Sequence, residues 1–378
     1  MTRHQRRWPA GSSASPEVMA LVCDAEFGSS GALAALAPRT PRKGERQPIA
    51  RLAGLPAVTP HFTGRVDEAR AIRHALRADL SGGASVCAVS GLAGVGKTAL
   101  AIRGALQLRQ LCPDGCLFVP LRGSTPDGAV APADALRRAL RFLGVPGREI
   151  PRDPDDRSTL YRDHLAGRRV LVVLDDARCV NQILPLLPAE PRCRVLVTSR
   201  QRLVALDDAY HVGLGVLPVQ DARSLLRALI PDRVAADESA MDRVLDSCGR
   251  LPLAVRIAAA RIGGHPGWQL ADLAARLTDD TATMAELDDG ERSLAAASEL
   301  SRRALPDDAR RLFDALAGRP GVAVTAEGAA LLAGVTRAVA ERLLDVLCDH
   351  HVVIQLGADR YRVQDLVGAF VRSRLCPV

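Results

Sequence analysis

The sequence predicts an α/β domain with a parallel sheet, followed by a small all-α helical domain and a winged-helix domain. From about residue 60, short runs rich in valine and leucine alternate with amphipathic segments. Continuous apolar strands separated by helices are typical of a parallel sheet that is buried on both faces. Beyond residue 215 the apolar residues recur at helical spacing, and near the C-terminal end predicted helices precede two short apolar segments. Helices followed by such a hairpin are typical of a winged helix.

The composition limits the classes of protein to consider. The chain has 378 residues, more than one domain usually holds, and its 48% hydrophobic and 25% charged residues exclude wholesale disorder and a collagen-like chain. The net charge of +7 is spread along the chain rather than clustered as on a nucleic-acid-binding face. Nine cysteines at scattered positions are typical of reduced thiols. Without a recognisable signal peptide or an apolar run that could span a bilayer, the sequence predicts a cytoplasmic protein with no membrane partner.

The elements of the predicted sheet and of the helical part follow from these patterns. The predicted strands are 85–90, 116–121, 169–174 and 194–199, and the helices between them are 99–111, 132–143 and 158–165. Four further helices are predicted within residues 221–277 and four within 292–348, with an acidic loop over 279–290 between the two groups. The two short apolar segments of the hairpin are 352–356 and 361–363.

A glycine-rich loop directly follows the first predicted strand. Gly91-Leu-Ala-Gly-Val-Gly-Lys-Thr98 matches the pattern G-x-x-x-x-G-K-[ST] and opens a predicted helix. The three glycines let main-chain N–H groups converge on phosphate oxygens, and the helix N-terminus adds positive potential. Lys97 supplies a charge to the β- and γ-phosphates, and Thr98 offers a hydroxyl to magnesium. The residues of this predicted phosphate site are Gly91, Gly94, Val95, Gly96, Lys97, Thr98 and Ala99.

Two of the later strands end in charged residues at the same edge of the predicted sheet. Asp175 and Asp176 follow strand 169–174, and we expect Asp175 to organise magnesium and Asp176 to polarise the attacking water as a general base. A helix cap or turn is the alternative role for this pair. Arg200 follows strand 194–199 at the carboxyl edge, where ligands bind in open α/β sheets. It is the candidate sensor of the γ-phosphate, with a solvated surface charge as the alternative.

Six motifs in a fixed order resemble those of NB-ARC proteins, signal-transduction ATPases of the STAND class. The motifs are His61-Phe-Thr-Gly-Arg-Val-Asp-Glu68, the phosphate loop, Leu174-Asp-Asp176, Thr198-Ser-Arg200, Cys248-Gly-Arg-Leu-Pro-Leu-Ala254 and Tyr361-Arg-Val-Gln-Asp365. Pro113-Asp-Gly115 followed by Leu121-Arg-Gly123 resembles in particular the bacterial branch found in antibiotic-regulatory transcription activators. The resemblance covers residues 60–375 and implies a nucleotide-binding, a helical and a winged-helix domain in that order.

The motifs and the resemblance together divide the chain into four predicted regions. Residues 1–55, rich in proline, serine, glycine and basic residues, are expected to be a flexible N-terminal segment. Residues 56–215 are the P-loop nucleotide-binding domain, 216–285 the helical domain and 286–378 the winged-helix domain.

The resemblance also implies contacts with the base of the nucleotide. Phe62, Gly64 and Arg65 would lie along the adenine, and Pro252 would close over it from the helical domain. An aromatic ring and a rigid proline form an apolar slot that suits a base. Because proline is also favoured at the first position of a helix, capping is the alternative role of Pro252.

Two residues depart from the pattern of the relatives. Arg250 stands where they usually carry a glycine, so a close approach of the main chain to the nucleotide is in question there. Gln364 stands where they carry a histidine that contacts the β-phosphate of ADP. Gln364 can donate a hydrogen bond but cannot carry charge, so we expect the ADP-bound closed state to be weaker in this protein.

These residues predict a switch that uses ADP, ATP and Mg²⁺. ADP would hold the domains closed, exchange for ATP would open them, and slow hydrolysis would reset the closed state. We expect a protein partner or self-association on activation. The alternative is a DNA-binding transcriptional regulator that acts through its winged helix. Since the predicted helix 338–348 carries one arginine and two acids, it suits phosphate contact poorly, and direct DNA binding is not expected. A cycling motor ATPase would need an arginine from a neighbouring subunit, which this arginine-rich sequence does not locate.

Overall fold

The computed structural model describes residues 54–77, 83–125, 128–233 and 237–375. Apart from its last two residues, the predicted flexible segment 1–55 lies outside these ranges. Residues Ile49–Val378 group as one unit by their internal contacts. The domain boundaries at 215 and 285 therefore stay predictions.

Five parallel strands form the central sheet. They are β1 (Ser85–Gly91), β2 (Gly115–Pro120), β3 (Val170–Ala177), β4 (Arg194–Ser199) and β5 (Tyr210–Leu214). The strand order is β2-β3-β4-β1-β5, and every neighbouring pair is parallel. The four predicted strands are confirmed within a few residues. β5 was not predicted as a strand because it lies at the edge of the sheet, where Tyr210, His211 and Gly213 are exposed and interrupt the apolar run.

Helices cover both faces of this sheet. They are α1 (Val66–Arg77), α2 (Lys97–Gln107), α3 (Pro132–Phe142), α4 (Pro154–Leu165) and the single turn α5 (Val180–Ile183). Cys87 and Val89 of β1 belong to the core that includes α1 and α2, whereas Ala88 between them belongs to the core with α3 and α4. This alternation follows from the two-residue period of a strand and explains why three consecutive residues, 87–89, are all buried.

A group of helices follows the sheet. They are α6 (Val219–Leu229), α7 (Glu238–Ser247), α8 (Pro252–Gly264), α9 (Leu270–Arg276) and α10 (Asp280–Glu286). In the described part of the chain, single 3₁₀ turns lie between strands at Gly147–Glu149 and Leu184–Leu186, and after α6 at Pro231–Arg233. The apolar faces of α6, α7 and α8 join the same core as α1 and α2. The helical part therefore packs directly against the sheet domain on this side.

The prediction of an acidic loop over 279–290 is wrong for the first half of this segment, which forms α10. The Asp279 carboxylate caps this helix by accepting a hydrogen bond of 2.8 Å from the Ala282 N–H. Asp280 accepts from the Arg372 guanidinium at 2.6 Å, while Met284 is buried. The acids in this segment therefore cap and pair instead of marking a solvated loop.

The last part of the chain is helical around a short hairpin. Its elements are α11 (Leu294–Arg303), α12 (Asp307–Ala317), α13 (Ala326–Ala333), α14 (Arg337–Asp349), β6 (Val353–Gly357), β7 (Arg360–Val363) and α15 (Asp365–Leu375). β6 and β7 are antiparallel, and Val324 pairs with Tyr361 in an isolated bridge beside them. α15, which was not predicted, packs against α10, α11 and α12. The polar pair Gln364-Asp365 separates its apolar residues from the hairpin, and Asp365 is the acidic residue of its first turn.

The turn after α14 contacts the loop that follows β4. The Arg202 N–H donates to the Asp349 carbonyl at 2.8 Å. His351, two residues further on, has a left-handed main chain with a φ of 58° and a buried Nε2 atom without a hydrogen-bond partner. Burial lowers the pKa of His351 from 6.5 to about 3, and the positive charges of Arg202 and Lys97 and the neighbouring His350 act in the same direction.

This buried histidine predicts acid sensitivity. Because the unfolded state binds more protons than the folded state between pH 6.5 and about 3, the free energy of unfolding should fall as the pH decreases through this window. The slope from this one group is at most about 1.4 kcal/mol per pH unit. The free energy of unfolding, measured with urea at pH 7 and at pH 5, should change less with pH in His351→Asn than in wild type. Asparagine tolerates a left-handed main chain and does not titrate. An exposed control, His74→Asn, should leave the slope unchanged; equal slopes in wild type and His351→Asn would contradict the assignment.

Candidate functional site

A cavity of about 490 Å³ opens at the carboxyl edge of the sheet, next to the glycine-rich loop. This volume lies within the range of about 300–1,000 Å³ that is usual for ligand pockets. Twelve of the residues predicted from the sequence line it. They are Phe62, Arg65, Gly94, Val95, Gly96, Lys97, Thr98, Ala99, Asp175, Asp176, Arg200 and Pro252. The structure thus brings residues from both of the first two predicted domains to one cavity.

The loop between β1 and α2 has the conformation that its glycines allow. Gly94 and Gly96 have φ values of 78° and 98°, a region that other residues enter at a cost. A Cβ on Gly94 would lie 2.7 Å from the Cβ of Leu253, so the loop and α8 approach closely there. α2 begins at Lys97 and has no side-chain cap at Gly96. Its first N–H groups therefore lack a side-chain acceptor and suit an anion.

Gly91 does not line the cavity, but it supports the conformation of this loop. A Cβ at this position would lie 2.6 Å from the Leu214 carbonyl oxygen of β5. Its own carbonyl accepts a hydrogen bond from Lys97 Nζ at 2.8 Å. Gly91 therefore sets the packing of the loop against the sheet.

The Lys97 ammonium is folded back onto the loop. Besides the Gly91 carbonyl, it donates to the Leu92 carbonyl at 2.9 Å, and the residue is 9% exposed. Burial lowers the pKa of Lys97 to about 7; Arg200 lowers it further, while Asp176 and Asp175 oppose this shift. A buried cation that is held only by neutral carbonyls gains strongly from an anionic ligand.

The Thr98 hydroxyl and the Asp175 carboxylate lie side by side next to the lysine. Asp175 Oδ1 accepts from Thr98 Oγ1 at 2.8 Å and from Thr198 Oγ1 at 2.7 Å. Burial raises the pKa of Asp175, and these two hydrogen bonds partly offset the rise. A carboxylate and a hydroxyl at the phosphate end of a cavity are the hard oxygen donors that Mg²⁺ takes, with water and phosphate completing its shell. The residues present therefore fit this ion.

Asp176 is held in place by a residue that the sequence analysis did not single out. Ser124, in the loop after β2, donates to Asp176 Oδ2 from its hydroxyl at 2.5 Å and from its N–H at 3.1 Å. Asp176 itself has a φ of 57°, and the pairing of β3 with β4 shifts its register around this residue, between Leu174 and Ala177. The Arg200 Nε atom lies 3.9 Å from the other carboxylate oxygen, Oδ1. Asp176 thus lies between a hydroxyl and a guanidinium at the mouth of the cavity.

Arg200 reaches from the sheet to the last part of the chain. Its Nη1 donates to the Ala297 carbonyl of α11 at 3.4 Å, a long hydrogen bond. Burial lowers the pKa of Arg200, and Asp176 opposes the shift. An arginine keeps its charge in proteins, so Arg200 is a partly buried cation between the cavity and α11.

Three arginines hold the segment that carries Phe62. Arg65 donates to the Val95 carbonyl at 3.2 Å and to the Gly215 carbonyl at 2.7 Å. The Arg103 guanidinium lies over the Phe62 ring, 4.9 Å from its centroid. The third, Arg256 of α8, donates to the main chain of this segment. The ring is thereby fixed at the wall of the cavity.

Gly64 and Pro252 have structural reasons for their residue types. A Cβ on Gly64, whose φ is 69°, would lie 2.3 Å from Asp221 Oδ2, so Gly64 allows close contact with α6. Gly64 itself does not line the cavity. Pro252 is the first residue of α8, as its alternative capping role requires, and it lines the cavity as well.

Gln364 does not reach this cavity. It lines a separate space of about 40 Å³ together with Arg250. Its main-chain N–H donates to the Val352 carbonyl at 3.0 Å, which anchors it at the hairpin. Arg250 has a φ of 53° directly after Gly249 at 51°, so the chain turns through two left-handed residues where a glycine would be less strained.

The cavity also contains residues that the sequence analysis did not name as site residues. They are Thr59, His61, Thr63, Ala93, Ser124, Thr198, Leu217, Leu225, Leu253 and Arg256. Thr198 begins one of the quoted motifs and Ser124 directly follows another. These places in the sequence could have identified both as candidate site residues. Arg256 stands four residues after Pro252, which is one helical turn on the same face. Among the described residues, no helix is long and apolar enough to cross a bilayer.

Two curated proteins share extensive sequence similarity with this chain. It is 39% identical over 322 residues to the regulatory protein AfsR of Streptomyces griseus, which covers 85% of this chain and 33% of that protein. It is 37% identical over 329 residues to the regulatory protein AfsR of Streptomyces coelicolor, with the same two coverages. The chain thus spans about a third of the length of these relatives. No protein-family model matches the sequence.

Two solved structures are similar in fold at low sequence identity. A Walker-type ATPase of Pyrococcus abyssi has a TM-score of 0.55 at 13% identity, over 82% of this chain and 96% of that one. The ORC2 protein of Aeropyrum pernix, solved with ADPNP and ADP, has a TM-score of 0.50 at 15% identity, over 84% of this chain and 96% of that one. The chain therefore has the fold of a P-loop ATPase, an α/β P-loop domain followed by helices.

Proposed function

We propose that this protein binds ADP and ATP with Mg²⁺ and acts as a regulatory switch of the NB-ARC kind, in which nucleotide exchange and slow hydrolysis control the contacts of the helical parts. One observation carries the proposal. The phosphate loop, the Thr98–Asp175 pair and the Asp176–Arg200 pair line one cavity, and Arg200 also contacts α11. Such a site can bind a nucleotide and pass its state to another part of the chain.

Polar and charged groups at one end of the cavity could hold both the phosphates and the Mg²⁺ ion. Main-chain N–H groups of the loop and of the start of α2 would take the β-phosphate, and Lys97 would exchange its two carbonyl acceptors for phosphate oxygens. Thr98 and Asp175 would hold Mg²⁺. When bound, this ion offsets negative charge on the β- and γ-phosphates.

Hydrolysis would depend on Asp176. Its carboxylate can accept a proton from a water molecule that lies between it and the γ-phosphate. Ser124 occupies Oδ2 with two hydrogen bonds, which leaves Oδ1 as the oxygen for the water.

Arg200 would connect the γ-phosphate to the last part of the chain. Since its bond to the Ala297 carbonyl is long, a phosphate oxygen would compete with it effectively. Loss of this bond would loosen α11 against the sheet. Helices α11 to α14 with the hairpin β6–β7 support the interpretation of this part as a winged helix, although α14 pairs its Arg337 with Glu341 and Asp359. α14 as a whole carries two arginines against three acids, so it offers little net positive charge for DNA.

The regulatory role rests on the two relatives, which are named regulatory proteins. This chain spans a third of their length. A switch of this type acts through another protein or through a second copy of itself, and we propose one of these as the partner.

The proposed function is tested by the nucleotide that the purified protein carries. Denaturation should release about one ADP per chain, as expected for a single phosphate loop, and chromatography identifies it. If wild-type protein is empty, calorimetry with added ADP and ATP decides the matter. A wild type that carries no nucleotide and binds neither ligand would leave a scaffold rather than a switch.

A further inference from the structure

We infer that Arg256 is a positioning residue that sets the width of the slot for the nucleotide base. This inference rests on the proposed nucleotide site and deepens it. Arg256 lies on α8, one turn after Pro252, and lines the cavity. Its role follows from the way in which three segments enclose the cavity.

The cavity has two side walls that meet at the phosphate loop. One wall is the segment 59–65, joined to the loop by the bond of 3.2 Å from Arg65 to the Val95 carbonyl. The other wall is the start of α8, joined to the loop by the bond of 3.2 Å from the Leu253 N–H to the Gly94 carbonyl. Both of these contacts lie beside the phosphate loop.

Arg256 joins the two walls to each other. Its Nη2 atom donates to Thr59 Oγ1 at 2.9 Å and to the His61 carbonyl at 2.5 Å. The three segments are therefore linked in pairs: loop to first wall, loop to second wall, and wall to wall. Removing the third link would free the segment that carries Phe62 to move away from α8.

The environment of Arg256 supports a role in holding a ligand. Burial lowers the pKa of Arg256, with a smaller effect of the same sign from Arg292, yet a guanidinium stays charged. Both of its acceptors, a hydroxyl and a carbonyl, are uncharged. A half-buried cation with neutral acceptors can stack on a base or donate to its ring nitrogens without breaking an ion pair.

The test compares a ligand that has a base with one that lacks it. Affinities for ADP and for inorganic pyrophosphate are measured by calorimetry in wild type and in Arg256→Ala. We expect Arg256→Ala to weaken ADP binding about tenfold to a hundredfold, the loss expected for a charged hydrogen bond, and to leave pyrophosphate binding within twofold. Thr59→Val, which removes one acceptor at nearly constant volume, should weaken ADP binding about threefold with the same pyrophosphate affinity.

A matched control separates this effect from a general loss of packing. Arg233 likewise makes two hydrogen bonds to uncharged acceptors, the main-chain carbonyls of Pro266 and Trp268, but lies away from the cavity. Arg233→Ala should therefore keep wild-type affinity for both ligands. Circular dichroism checks that each variant is folded.

The outcomes distinguish the two hypotheses. Equal weakening of ADP and pyrophosphate in Arg256→Ala, or unchanged ADP affinity, would overturn the positioning role while the nucleotide site stands. If Arg256→Ala does not fold, unchanged ADP affinity in Thr59→Val overturns the role instead. Wild-type protein that binds pyrophosphate but not ADP, or neither, would overturn the proposed function itself.

Discussion

Replacing Lys97 by alanine should reduce ATP and ADP affinity by about a hundredfold or more, because a charged donor to two phosphates is lost from a buried site. In the free protein Lys97 donates to the Gly91 and Leu92 carbonyls and is almost fully buried. The ligand therefore meets an amino group that is already desolvated, so little further desolvation opposes binding. Calorimetry with both nucleotides measures the loss.

The fold should survive this substitution. Burial lowers the pKa of Lys97 to about 7, so the free folded protein holds this ammonium at a cost. Lys97→Ala should consequently melt at or above the temperature of ligand-free wild type. Lys43 is the only other lysine of the sequence and lies outside the motifs, so Lys43→Ala is the matched control and should bind as wild type does. Wild-type affinity in Lys97→Ala would contradict the assignment of the phosphate loop.

The parts of the site that the sequence predicted are those whose chemistry is local. In the phosphate loop, three glycines, a lysine and a threonine within eight residues fix the main chain and the charge together. Asp175 and Asp176 were predicted because they end an apolar strand, and the carboxyl ends of parallel strands share one edge. In both cases the residues of one short segment are enough to predict its role.

The parts that were missed depend on contacts between distant segments. Ser124 binds Asp176 across 52 residues of sequence, and Arg256 binds Thr59 across 197. Their residue types carry no signal, since a serine in a loop and an arginine on a helix are ordinary, and only their places just after quoted motifs could have pointed to them. Gln364 is the opposite case, a residue with a local motif that does not line the cavity. Its motif predicted a phosphate contact, whereas the hairpin holds Gln364 beside Arg250 in a separate space.

Secondary structure was missed where charged or exposed residues dominate. The strand Tyr210–Leu214 is recognisable in the fold by its pairing with β1, a non-local contact. The helix Asp280–Glu286 depends on the cap at Asp279 and on Arg372 of α15. Composition alone favoured a loop there, and tertiary contacts decided otherwise.

Asp176→Asn should separate hydrolysis from binding. Asparagine tolerates the left-handed main chain at φ 57° and can still accept from Ser124, so the site should keep its shape. It cannot take a proton from water, and the loss of a general base lowers a rate by about a hundredfold to ten-thousandfold. Single-turnover hydrolysis of bound ATP measures the rate, and we expect ADP and ATP affinities within about threefold of wild type, since a neutral isostere keeps the hydrogen bonds.

The nucleotide that the purified Asp176→Asn variant carries is a second test of the same prediction. Because Asp176→Asn should bind ATP and fail to hydrolyse it, the purified variant should release ATP where wild type releases ADP. Ser124→Ala removes one of the two bonds that hold the carboxylate, and we expect a smaller change in rate, about tenfold, since the N–H bond remains. Asp163→Asn, on the exposed side of α4, is the matched control with wild-type turnover. Hydrolysis by Asp176→Asn at close to the wild-type rate would remove Asp176 as the base, and the nearest remaining carboxylate, Asp175, is already committed to Thr98 and Thr198.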